Sequence, residues 1–164
     1  MMKYSYLIFL FVFLFFYTCD QGLSPEKEVQ ASGEISGTVF FKNWPPADSL
    51  FDIRLVLFPF YPDSNIILEI TSGRAVVYPG LTDTTRLPFY VESLNYRFSL
   101  KAGHYEYFAV AHRYGPGIFS DWQVVGHYDT TAQDALPTAL NIEPGQTLTD
   151  IFIVADFDSV LLRP

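Results

Sequence analysis

Beyond residue 34 the apolar positions come in short runs, each cut off by Gly, Pro, Asn or Asp. Ile35 to Phe41 is closed by Asn43-Trp44-Pro45-Pro46, and Ile53 to Phe58 by Pro59. Ile66 to Ile70, Ala75 to Tyr78, Leu87 to Leu94 and Tyr96 to Leu100 follow. Tyr105 to His112, Trp122 to Val125, Thr138 to Ile142 and Asp150 to Ala155 complete the set. Runs of roughly 4–8 residues rich in Val, Ile, Phe and Tyr, bounded by turn residues, predict strands. No window past residue 20 keeps a helical period over three turns without Pro or Gly. The expectation is an all-β domain, a single sandwich of about seven to nine strands. Tyr105 to His112 reads as its central strand. One face would carry Tyr105, Tyr107, Ala109 and Ala111, and the other His104, Glu106, Phe108, Val110 and His112. Tyr105 and Tyr107 are expected to point inward together.

The N-terminus follows a different pattern. Lys3 precedes an unbroken apolar run of 11 residues, Leu7 to Tyr17, which holds five of the 16 Phe. A basic residue followed by an apolar core too short to span a bilayer is the layout of a secretory signal. The sole cysteine, Cys19, follows at once. Phe16-Tyr17-Thr18-Cys19 resembles a bacterial lipoprotein signal, in which the cysteine thiol is acylated, although Phe16 and Thr18 differ from the usual Leu and small residue. Residues 20–33 carry Pro, Gly, Ser and charge with little apolar periodicity, as a flexible tether would. The expected organisation is an N-terminal signal helix (1–18), a lipid-anchored tether (19–33), the sandwich (34–158) and a tail (159–164). The resemblance implies export to the cell envelope, with the membrane as a partner through the lipid.

Charge narrows the partners further. The chain carries 10 Lys+Arg against 18 Asp+Glu, a net −8. Without residues 1–18 one Lys is lost and the balance becomes −9. No cluster of Lys and Arg offsets this, so nucleic acid is excluded as a partner. A protein or glycan of the envelope remains.

Three segments form an ordered set: Ile35-Ser36-Gly37-Thr38-Val39, Tyr96-Arg97-Phe98-Ser99-Leu100-Lys101-Ala102-Gly103-His104-Tyr105, and Ile142-Glu143-Pro144-Gly145-Gln146. The set resembles the carboxypeptidase-regulatory-like, or prealbumin-like, β-sandwich modules of envelope proteins. The resemblance implies an Ig-like scaffold or adhesion fold and brings no catalytic residue. Residues 59–95 are longer than the corresponding section of that pattern, as an extra hairpin or a binding loop would make them.

Motifs for nucleophilic catalysis and phosphate cradling are missing from the sequence. No enzyme activity and no cofactor are expected. Two weaker candidates remain. Gly103-His104-Tyr105-Glu106 and Gly126-His127-Tyr128-Asp129 repeat a pattern, and on neighbouring strands His104, His127 and Asp129 would suit a divalent ion. The plainer reading makes both histidines surface residues. Trp44, Tyr61, Tyr78, Tyr90, Tyr114, Phe119 and Trp122 fall at predicted turns or strand edges, where aromatic rings stack on sugars or fill peptide pockets. The Gly-rich stretch Tyr114 to Trp122 is the leading candidate for a binding loop, with Tyr114, Phe119 and Trp122 as its contacts. Asp156 and Asp158 read as solvated tail residues.

Overall fold

The computed structural model describes residues 31–62, 66–131 and 136–159. Nine strands lie among them: β1 (Ser32–Lys42), β2 (Asp52–Phe58), β3 (Val76–Tyr78), β4 (Ser93–Lys101), β5 (Gly103–Tyr105), β6 (Tyr107–Arg113), β7 (Trp122–His127), β8 (Leu140–Ile142) and β9 (Thr147–Asp156). A short helix, α1 (Ile66–Thr71), stands between β2 and β3. Strands β4-β1-β9 form one sheet, β3-β2-β6-β7 a second, and β5-β8 a two-stranded ribbon. The fold is all-β.

Period-two alternation makes the sandwich. On β4, Tyr96, Phe98 and Leu100 are buried while Asn95, Arg97, Ser99 and Lys101 are exposed. With Ile35 and Val39 of β1 and Ile151 and Ile153 of β9, they pack against Ile53, Leu55 and Leu57 of β2 and Phe108 and Val110 of β6. Gly37 fixes how β1 sits beside β9, where the register slips between Ile35 and Gly37. A Cβ at Gly37 would run into the Ile151 carbonyl, the same oxygen that accepts from the Tyr96 hydroxyl at 2.9 Å. Burial of that hydroxyl pushes its pKa up.

Several expectations change. The predicted long strand breaks at Glu106, where the chain passes from the β5-β8 ribbon into the second sheet. The Glu106 carboxylate accepts from the Tyr61 amide at 2.9 Å at this corner. Tyr105 therefore enters the core between the sheets, and Tyr107 packs on the opposite face of the second sheet. They do not point inward together. Ile66 to Ile70 is helical, because a helix sets Ile66, Ile67 and Ile70 on one face against the sheet, whereas a strand would split them between two. Gly73, at φ +73°, ends it.

Of Leu87 to Leu94, only Ser93 and Leu94 join a strand; Tyr90 stands at φ +59°. Ser32 and Gly33 belong to β1, paired with Lys101 and Leu100, so the sandwich begins two residues before the predicted boundary. Asp156 closes β9 and accepts from the Asn43 side-chain amide at 2.9 Å, and Phe157 is buried beside it. Asp156 therefore does not belong to a tail, whereas Asp158 is exposed beyond the strand as expected. The signal segment, Cys19 and most of the tether lie outside the described residues.

Candidate functional site

The second sheet has two buried faces. Its inner face meets the other sheet. Its outer face, solvated in most sandwiches, is covered by α1 and the loop 79–86, which lie to either side of the edge strand β3 in the chain. Strand register lays out that outer face in rows. Asp52, Arg113 and Trp122 lie side by side, then Arg54, Ala111 and Val124, then Val77, Val56 and Ala109, and last Phe58 with Tyr107. The face is thus charged at one end and apolar at the other. Over its charged and middle rows lies a cavity of about 600 Å³. Ile66, Ile67 and Ile70 of α1 wall one side, Leu81 to Thr84 and Arg86 a second, and Ile118 with Phe119 a third. The volume falls in the range of small-molecule sites.

Arg54 builds the second wall. It is 4% exposed, and its Nε and Nη2 donate to Asp52 Oδ2 at 3.1 and 3.0 Å. Its Nη1 donates to the carbonyls of Pro79, Gly80 and Thr85 at 2.9, 3.1 and 3.3 Å. The other Asp52 oxygen accepts from the Ile53 amide at 2.9 Å. A buried pair with its hydrogen bonds complete contributes geometry more than stability. Here it ties the loop 79–86 to the floor.

Arg113 behaves differently. Its guanidinium lies 5.7 Å from the Phe51 ring and 6.0 Å from that of Trp122. Its Nε is buried without a hydrogen-bond partner, and no ion pair reaches it among the described residues. The nearby Asp121 carboxylate is held below its ordinary pKa by the Ser120 hydroxyl and the Gly117 amide, at 2.7 Å each, with Arg113 adding a weaker attraction. Asp121 is thus committed to its own loop. Arg86, also on the cavity wall, is exposed and has no ion pair among the described residues.

The loop between β6 and β7 is tied at both ends. Tyr114 N donates to Asp121 O at 2.9 Å, and the Trp122 indole N–H donates to Ile118 O at 2.7 Å. Trp122 is only 7% exposed and serves as a wall, while Phe119 is 63% exposed at the rim. Both line the cavity; Tyr114 is exposed but lies outside the lining. Of the other aromatics, Trp44 stacks on Phe157, Tyr78 stacks on Phe98, and Tyr61 meets Tyr107 edge-on.

His104 lies on β5 and His127 on β7, strands of different sheets that do not pair. His104 Nδ1 is 2.7 Å from Asn141 Oδ1. His127 packs on Tyr107, and burial lowers its pKa against the opposing pull of Asp129. Asp129 accepts from Thr131 N at 2.9 Å and the Thr138 hydroxyl at 3.1 Å. Among the described residues no three His, Cys, Asp or Glu come together as metal ligands.

Sequence reasoning passed over Asp52, Arg54, Arg86 and Arg113. Asp52 and Arg54, charged at alternate positions of β2, carry the signal of a solvated face, and only the cover of α1 and the loop 79–86 makes them a lining. Comparison of the chain with protein-family models, with curated proteins and with solved structures found no match.

Proposed function

We propose that this protein is a lipid-anchored, non-enzymatic binding module of the bacterial cell envelope, an Ig-like sandwich whose ligand enters the cavity on the outer face of the second sheet. The cavity carries this reading. A sandwich that only spaced or braced other parts would have no use for a second buried face, closed by an added segment of chain and left with space inside. The carboxylates lining the cavity are spent on the fold, Asp52 on Arg54 and Asp83 on the Gly80 amide at 2.8 Å, which favours binding over catalysis. The largely aliphatic walls favour an apolar ligand over a sugar stacked on loop aromatics.

The placement of the only cysteine at the end of the signal supports the anchor. Fatty-acid labelling of cells should tag the wild type and leave Cys19→Ala unlabelled; equal labelling would overturn the anchor. A thermal-shift screen that includes glycans should yield ligands lost in Val56→Trp, which fills the floor. Hits that survive Val56→Trp but are lost in Phe119→Ala would move the site to the rim and favour the carbohydrate reading.

A further inference from the structure

Charge and register together say more about the ligand. Three of the chain's six arginines, Arg54, Arg86 and Arg113, line this one cavity. Arg54 is neutralised by Asp52, whereas Arg113 and Arg86 have no ion pair among the described residues. Arg113 also keeps a buried N–H without an acceptor, a condition that folded proteins rarely leave standing. Its neighbours Phe51 and Trp122 reduce its hydration without supplying charge, and the nearby Asp121 carboxylate, held by Ser120 and Gly117, attracts it only weakly. On the same face, Val77 and Val56 lie two rows from Arg113, and Ile67 and Ile70 of α1 wall the same space.

We propose that the cavity takes an amphipathic anion, with its aliphatic body over Val56, Val77, Ile67 and Ile70 and its oxyanion head, a carboxylate or phosphate, on Arg113 and Arg86. This rests on the binding-module reading above. The guanidinium fork matches both heads, so the shared chemistry is a planar or tetrahedral oxyanion on an alkyl chain. The aliphatic rows supply affinity by removing the chain from water, and Arg113 selects for charge.

Isothermal titration of the full chain in phosphatidylcholine nanodiscs, with empty nanodiscs as the blank, tests this with octanoate, octyl phosphate and octanol. Wild type should bind at least one of the two anions more tightly than octanol, and whichever binds identifies the head. Arg113→Gln should weaken that anion about ten-fold or more and change octanol less than about two-fold, with Arg113→Lys recovering part of the loss. Circular dichroism of each variant should overlay the wild type. Octanol bound as tightly as both anions, by a protein insensitive to Arg113→Gln but blocked by Val56→Trp, would overturn the anion and leave the cavity reading intact. If none of the three binds, the amphipathic anion falls, and the thermal-shift screen above then decides the cavity reading.

Discussion

His112 and Arg113 are consecutive residues at the end of β6 that face opposite sides of one sheet, and they meet opposite fates. His112, 2% exposed on the inner face, donates from Nε2 to the Ser49 carbonyl at 2.8 Å, leaving Nδ1 as acceptor for the Gln123 amide at 3.3 Å. Its ring stands edge-on to Phe157 at 5.1 Å. Arg113 points outward into the cavity with a buried N–H unmet. The inner face has its polar group closed by the protein itself, as a core requires. The outer face leaves one open beside empty space. A buried group that the fold satisfies serves stability; the one the fold leaves open, at a cavity, is where the proposed oxyanion would sit.

The largest effect should come from the inner face. Phe108, 1% exposed between the sheets, should cost about 4 kcal/mol on replacement by alanine, measured by urea denaturation. A loss below about 1 kcal/mol would mean that the inner face is not sealed and would dissolve the contrast.

A smaller effect should follow pH. Burial holds the His112 imidazole below its ordinary 6.5, with the Ser49 carbonyl pulling the other way. The unfolded chain then takes the proton first. Stability is therefore fully present above 6.5 and falls as pH drops through the interval between 6.5 and the lower folded-state value. His127 acts with the same sign, so His112→Gln should flatten the slope without abolishing it. A thermal denaturation series from about pH 8 to about pH 5 measures this. An unchanged slope in His112→Gln would show that the ring is not held neutral.

The smallest effect belongs to the outer face. Enlarging a residue in a filled core costs about 1–3 kcal/mol, but Ala111→Leu grows into the cavity and should change stability by no more than about 0.5 kcal/mol. A loss near 2 kcal/mol in the same urea assay would show that the space is not available.

The difference between the faces also explains what could be read in advance. Ile53, Leu55 and Leu57, or Tyr96, Phe98 and Leu100, announce themselves by alternation because an inner face needs unbroken apolar contact at every second residue. Phe119 and Trp122 were legible as aromatics on a turn because Gly115 and Gly117 mark it, although the structure exposes Phe119 and buries Trp122. Arg54 and Arg113 were not. Their positions look solvated until a distant segment covers them, and no local pattern encodes that cover.

Residues 66–70 show the same limit. Ile-Ile-Leu-Glu-Ile favours a strand by local preference, and its helical form is set by the sheet it must pack against. The sequence alone determined an all-β chain with its strands near their observed places, because strand pairing and burial write a two-residue period into the order of residues. Tertiary structure alone decided where Tyr105 and Tyr107 part, and that the outer face of the second sheet is a lined cavity. Those outcomes depend on which surfaces meet across long stretches of chain, a matter of packing between elements that no single segment carries.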